Sequence, residues 1–375
     1  MANRFRPILF LVLIAGLLAA GCEGEKELTF SSAEKASDLP EKQRTQLDQR
    51  LSTYFGSPQF PKFMEVAPEN QQPTDAKEPL LIEKLERQHL QHGREVFTRQ
   101  CAGCHGTTGD GKGPAGKYLD PPPRDYRLGR FKFTSTPRGS KPRRDDLARI
   151  IRYGAKGTSM PTFRFIADED LQAVIDYVIL LSSRGELEYR LITVADQELN
   201  EEDDLEPALA GEHSQVIGQS WSEAESQIVR PLTPQPQYSQ ESIEAGARAF
   251  VQLNCFKCHG RDGRGNKAVD VGKDDWGRTA YAADLTSGML HGGRRPIDIY
   301  RRIYSGINAT PMPAFSQPDS SKGETEAQRS ETIWHMAHFI TSVVEGKPLP
   351  ETIIDEEIQR LPSNQPATPA GGAGE

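Results

Sequence analysis

The chain has few cysteines, little aromatic surface and almost no long apolar runs. Of 375 residues five are Cys and three are Trp, aromatics make up 7%, and the hydrophobic share is only 36%. The apolar run from Ile8 to Ala20 is too short to span a bilayer and no later stretch is long enough either, so no ordinary transmembrane helix is expected. A formal net charge of -8 leaves no general attraction for nucleic acid. A short supply of apolar residues, with 27 Pro and 33 Gly, implies small cores and much connecting chain. Cores of that kind need staples, and a covalently attached cofactor is one. The length predicts two domains of ordinary size with segments left over.

The apolar run is preceded by Arg4 and Arg6 and is the right length for the core of an export signal. It ends in Leu18-Ala19-Ala20-Gly21-Cys22, which resembles a bacterial lipobox, although Ala19 stands where Leu is more usual. That resemblance implies cleavage before Cys22 and lipidation of its thiol, and so a lipid-anchored protein facing the periplasm. The alternative is an ordinary signal peptide followed by an incidental cysteine.

The other four cysteines fall in two copies of one motif, Cys101-Ala-Gly-Cys104-His105 and Cys255-Phe-Lys-Cys258-His259. Cys-x-x-Cys-His attaches haem c: two thiols bond the porphyrin and the adjacent His is placed to ligate the iron. A zinc site would need a fourth ligand and a redox dithiol a thioredoxin-like setting, and neither explains two copies in an exported chain. Two haem c groups are therefore expected.

Around these motifs, residues 84 to 184 and 240 to 345 resemble the class I cytochrome c family. In that family the sixth iron ligand is a Met in a loop some way downstream, and each copy offers one. Met160 lies in Gly157-Thr-Ser-Met-Pro-Thr-Phe163, 55 residues after His105, and Met312 in Ala309-Thr-Pro-Met-Pro-Ala-Phe315, 53 after His259. Without gaps, Asp146 to Phe163 and Asp298 to Phe315 share eight identities in 18, an internal repeat with a period of 152 residues. Met64, Met289 and Met336 read as packing residues. So do His89, His92, His213, His291, His335 and His338, although His291, beside Met289 in a glycine-rich loop, is an alternative ligand for the second iron.

The negative run Asp168-Glu169-Asp170 followed by Leu171, Val174, Ile175, Val178 and Ile179 predicts a helix ending near Arg184-Gly185. Its counterpart carries Ile333, Met336, Ala337, Ile340, Val343 and Val344, with Phe339 in the place of Tyr177. A Gly-x-x-x-Phe pair precedes each haem motif, Gly93 with Phe97 and Gly246 with Phe250, where the missing side chain lets another helix cross closely. The copies differ downstream. Gly111-Lys-Gly-Pro114 follows the first motif, and the resemblance implies that a proline carbonyl nearby holds the ligand His, whereas the second copy has no Pro between His259 and Pro296.

The expected fold is all-α, with two cytochrome c-type helical domains in tandem, each wrapped around a covalent haem c. The expected division is a signal peptide (1–21), a tether and N-terminal extension (22–83) flexible to about residue 50, domain 1 (84–184), an acidic linker (185–239), domain 2 (240–346) and a C-terminal tail (347–375). Residues 185 to 226 hold 12 Asp or Glu and one Arg, whereas 106 to 160 hold 13 Lys or Arg and five Asp. The acidic segment is read as a solvated linker, or as one that folds across the basic face or tunes docking. The cofactor ligands expected are Cys101, Cys104, His105 and Met160 in the first site and Cys255, Cys258, His259 and Met312 in the second. A His/Met iron has no open position, so the chain reads as an electron carrier or electron-transfer subunit rather than an enzyme. Its partners would be redox proteins, such as a quinol-oxidising complex or a terminal oxidase, and the membrane through Cys22. The alternative is a dihaem redox enzyme of the peroxidase or thiosulfate dehydrogenase type.

Overall fold

The computed structural model describes residues 29–30, 32–63, 87–265 and 267–361. The expected signal peptide, Cys22 and Met64 lie outside the described residues. The regular structure is helical, as expected: among the described residues extended pairing is limited to isolated bridges at Gly56–Pro61 and Lys273–Thr279. None of the described helices is long and apolar enough to cross a membrane.

The core divides in two, with the break between Trp221 and Val229. The first lobe packs α1 (Glu41–Phe55), α2 (Arg87–Gln100), the short α3 (Ala102–His105), α4 (Arg144–Tyr153), α5 (Asp168–Glu198) and α6 (Pro207–Ala224). The second packs α7 (Gln240–Gln252), the short α8 (Cys255–His259), α9 (Pro296–Ser305), α10 (Glu326–Val344) and α11 (Glu351–Arg360). Each lobe is organised by one crossing, α2 on α5 and α7 on α10. The glycines explain how closely these helices approach. A Cβ on Gly93 would lie 2.1 Å from the Ala173 carbonyl oxygen, and one on Gly246 would lie 2.0 Å from that of His335. Aromatic pairs seal both crossings, Phe97 with Tyr177 at 5.4 Å and Phe250 with Phe339 at 5.3 Å between ring centroids.

Three segments expected to be connective are folded. Helix α5 does not end near Arg184-Gly185 but continues to Glu198, burying Leu187, Leu191, Ile192 and Ala195. Helix α6 follows, burying Ala210, Ile217 and Trp221. The acidic stretch therefore belongs to the first lobe's core. Some of its carboxylates have structural partners: Glu188, wholly buried, accepts from the Ala33 amide at 2.9 Å and pairs with Arg184 at 3.1 Å. Glu186 pairs with Lys141, and Glu225 accepts from the Arg144 amide at 2.7 Å, so the segment does fold across part of the basic stretch.

The expected flexible tether also has a helix, α1, which buries Leu47, Leu51 and Phe55. It is fixed to the acidic segment by Gln43, which donates to the Asn200 carbonyl at 2.8 Å, and by Gln46, which accepts from the Leu205 amide at 2.9 Å. At the other end, residues 351–360 of the expected tail form α11, which buries Ile354 against α7.

Candidate haem-binding sites

Each Cys-x-x-Cys-His motif sits on a one-turn helix that follows the glycine-bearing helix of its lobe, α3 after α2 and α8 after α7. In both copies a glycine six residues after the His folds the chain back. Gly111 and Gly265 have φ of +73° and +76°, and their amides donate to the carbonyls of His105 and His259 at 2.9 and 2.8 Å. A Cβ at either would lie 2.6 Å from the carbonyl oxygen of Pro123 or Ala282. This close approach brings the next carbonyl to the imidazole. His105 Nδ1 donates to the Arg124 carbonyl at 3.2 Å, and His259 Nδ1 to that of Ala283 at 3.1 Å.

The proline expected to hold His105 is thus not the acceptor, and its absence from the second copy does not leave His259 unoriented. A main-chain carbonyl does the work in both lobes, and a backbone group leaves little trace in the side-chain sequence. With Nδ1 committed, Nε2 of each ring is the nitrogen available to a metal. Burial lowers the pKa of both imidazoles, which favours the neutral, ligating form.

The two methionine loops share their threonine and phenylalanine bonds, and the second adds one from the Ile307 amide to the Met312 carbonyl at 3.3 Å. Thr158 Oγ1 donates to the Ala155 carbonyl at 2.7 Å and accepts from the Met160 amide at 3.2 Å. Thr310 Oγ1 donates to the Ile307 carbonyl at 2.8 Å and accepts from the Met312 amide at 3.3 Å. Each loop closes where the Phe three residues on returns its amide to the preceding helix, Phe163 to Ile151 at 3.2 Å and Phe315 to Ile303 at 3.1 Å. The shared Thr and Phe are therefore the residues that shape the loops, and both Met side chains are half-buried.

These residues fit haem c better than the alternatives. Burial pushes the Cys101 thiol up to about 11 and the Cys255 thiol up to about 12, opposite to the low-pKa thiolate of a redox dithiol. Among the described residues no cluster of three or more His, Cys, Asp or Glu could hold a bare metal ion. A porphyrin supplies its own four nitrogens, so one imidazole and one thioether suffice to complete an iron. Two thiols on a single turn beside the ligating imidazole suit covalent attachment.

Residues 88–178 match the family model described as cytochrome C oxidase, cbb3-type, subunit III. The first lobe contains a cytochrome c domain. A cytochrome c domain carries covalently bound haem c and works by haem-based electron transfer. The match covers the Cys101 motif, His105 and Met160 and ends within α5, before the second lobe begins. Among solved structures, a chain of the Kuenenia stuttgartiensis reducing HAO-like protein complex is similar, at 28% sequence identity with a TM-score of 0.49. That alignment covers 67% of this chain and 95% of the other. No curated protein matches.

The cytochrome c domain meets the second lobe along a polar seam that uses much of its basic stretch. Arg130 pairs with Asp275, and Lys132 with Asp274 at 3.0 Å. Arg124, whose pKa burial lowers to about 10, lays its guanidinium over Trp276 at 4.1 Å, and Trp276 Nε1 donates to the Asp125 carbonyl at 3.3 Å. Arg149 donates to the Gly292 carbonyl at 3.2 Å. His291, the alternative ligand, faces this seam: its Nδ1 donates to the Lys156 carbonyl and its ring lies 6.2 Å from Phe133. Met289 is 54% exposed beside Gly157. The sequence showed the charges but not their partners, because those lie about 140 to 175 positions away in the chain.

Proposed function

We propose that the chain is a dihaem electron-transfer protein, with one haem c on Cys101, Cys104, His105 and Met160 and a second on Cys255, Cys258, His259 and Met312. The carrying observation is the repetition of both ligand environments at the level of individual hydrogen bonds, including the carbonyl that orients each imidazole. When bound, each haem supplies a one-electron couple whose potential the Met ligand raises. The protein's part is to orient two imidazoles, present two thioethers and leave no site for a substrate on either iron.

In this reading Cys22 carries a lipid and the protein works at the periplasmic face of a bacterial membrane. It passes electrons between redox proteins as a tethered carrier or as a fixed subunit of a respiratory complex. The family-model description, which names a subunit of an oxidase, supports the subunit form for the first lobe. A membrane-spanning quinol-oxidising complex or a terminal oxidase is the kind of partner intended.

Intact mass and a haem assay on the purified chain test this proposal. The expected result is two covalent haems per polypeptide, and a Cys22→Ser variant that is released from membranes with both retained. A single haem per chain would overturn the dihaem reading. A variant that stays membrane-bound would overturn the anchor.

A further inference from the structure

We propose that Arg138, a residue of the first lobe, is a positioning residue for Met312 in the second, and that its charge raises the potential of the second iron. The inference rests on Met312 being an axial ligand. Arg138 Nη1 donates to the Met312 carbonyl at 2.5 Å and, more weakly, to that of Ile307 at 3.4 Å, and Nη2 donates to the Thr310 carbonyl at 2.8 Å. One side chain therefore clamps three carbonyls of the loop that carries the ligand. The adjoining backbone adds a fourth tie, since the Gly139 amide donates to Asn308 Oδ1 at 2.8 Å.

The arm that presents Arg138 is anchored on both sides. Upstream, the Ser135 amide and hydroxyl donate to one Asp146 carboxylate oxygen at 2.8 and 2.9 Å. Downstream, Thr136 Oγ1 donates to the Lys141 carbonyl at 2.8 Å, and buried Lys141 donates to the Gly129 carbonyl at 2.9 Å while pairing with Glu186. A base fixed in this way turns the long Arg side chain into a defined reach, and the planar guanidinium is suited to several acceptors at once.

The equivalent Met160 loop has the same threonine and phenylalanine bonds but a different partner across the seam. There His291 donates to the Lys156 carbonyl, so the cross-lobe contact is an imidazole rather than a permanent cation. A guanidinium remains charged at any ordinary pH and favours the iron state of lower positive charge, the ferrous one. Arg138 is solvent-exposed, so its field is screened and the effect is moderate.

The test compares Arg138→Ala, Arg138→Lys, Arg130→Ala and Met312→Ala in the full-length haem-loaded chain, by optical redox titration and by the long-wavelength absorption of a Met–ferric iron bond. Arg138→Ala should weaken that absorption for one haem and lower one potential by about 59 mV, a tenfold change in a one-electron equilibrium. Arg138→Lys should keep more of the potential than of the Met absorption, because it retains charge but not the three-carbonyl clamp. Arg130→Ala removes a neighbouring seam ion pair whose Asp275 reaches the Met312 loop only through its own amide on the Ala309 carbonyl, at 3.2 Å, and it should shift neither potential as far as Arg138→Ala does. A silent Arg138→Ala beside an effective Met312→Ala would overturn this inference alone, and so would an equal shift from Arg130→Ala. A silent Met312→Ala would overturn the ligand reading and the inference with it.

Discussion

His105 and His259 donate to main-chain carbonyls at nearly the same distance, yet their rings lie against different walls. Tyr126 stacks on His105 with 4.8 Å between centroids and 20° between planes, its phenol buried and its pKa raised by that burial. The backbone position that Tyr126 occupies, donating its amide to Gly109 at 2.7 Å, is filled in the second lobe by Leu285, which donates to Gly263 at 2.7 Å. There the aromatic near His259 is Phe250, 6.5 Å away and tilted. The acceptor carbonyl belongs to a half-buried arginine in one lobe and to an alanine in the other. The orientation of each imidazole is thus set by backbone geometry that the repeat preserves, while the walls around the rings have diverged. On the proposed dihaem reading, two couples of the same ligand class at different potentials are expected.

The shared part of the comparison breaks most readily at the helix crossings. Gly93→Val and Gly246→Val should each destabilise their own lobe by about 3 kcal/mol or more, since backbone lies where the new Cβ must go. Denaturant titration followed by haem absorbance reads this out, and a loss well below 1 kcal/mol at either position would mean that the crossing is looser than described. Next in size, Met160→Ala and Met312→Ala should each lower one potential by more than a tenfold step, about 59 mV, and leave the other within a few millivolts. Movement of both couples together in either variant would contradict independent ligand sets.

Smaller changes sharpen the contrast. Tyr126→Leu makes the first site resemble the second and should narrow the gap between the two potentials by less than a tenfold step, with haem attachment intact; a wider gap would mean the wall acts in the opposite sense. The seam supplies a pH test. Burial opposes ionisation of Asp274, but the bond from Lys132 and those from the Arg278 and Trp276 amides outweigh it and hold its pKa below the ordinary value. Because the folded pKa is depressed, this contribution is complete above the unfolded value of about 3.9 and fades as pH falls through the lower folded one. The stability difference between wild type and Asp274→Asn should therefore be present at about pH 6 and close below about pH 3.9. A difference that grows on acidification would refute the assignment.

The smallest effect expected is that of salt. The charge of the basic stretch from Arg124 to Arg152 suits a steering surface, but Arg124, Arg130, Lys132, Arg138 and Arg149 face the second lobe. Electron exchange with a small soluble redox protein should respond to ionic strength well below the 10- to 1000-fold range, roughly, that strong steering supplies. A steep salt dependence abolished by substitutions at those positions would show that they steer docking instead.

The parts of this molecule legible in the sequence are those in which side chains carry the information. The Cys-x-x-Cys-His pairs, the Thr and Phe of the methionine loops and the glycines of the crossings name both sites and the helices that hold them. The acidic segment misled because charge dominates its composition, whereas its apolar positions, Leu187, Leu191, Ile192 and Ala195 and then Ala210, Ile217 and Trp221, recur at helical spacing. That periodicity was the available signal. The carbonyls of Arg124 and Ala283, by contrast, could not be read from residue types, since any residue has a carbonyl and the tight glycine turn selects which one arrives.

Two His/Met haems in one chain can be counted and separated by an optical redox titration of the intact protein against its measured haem content. Two covalent haems per chain and two resolved one-electron steps are expected, with Met312→Ala displacing one step and leaving the other in place. One haem per chain, or two steps of which neither moves in Met312→Ala, would contradict the dihaem reading.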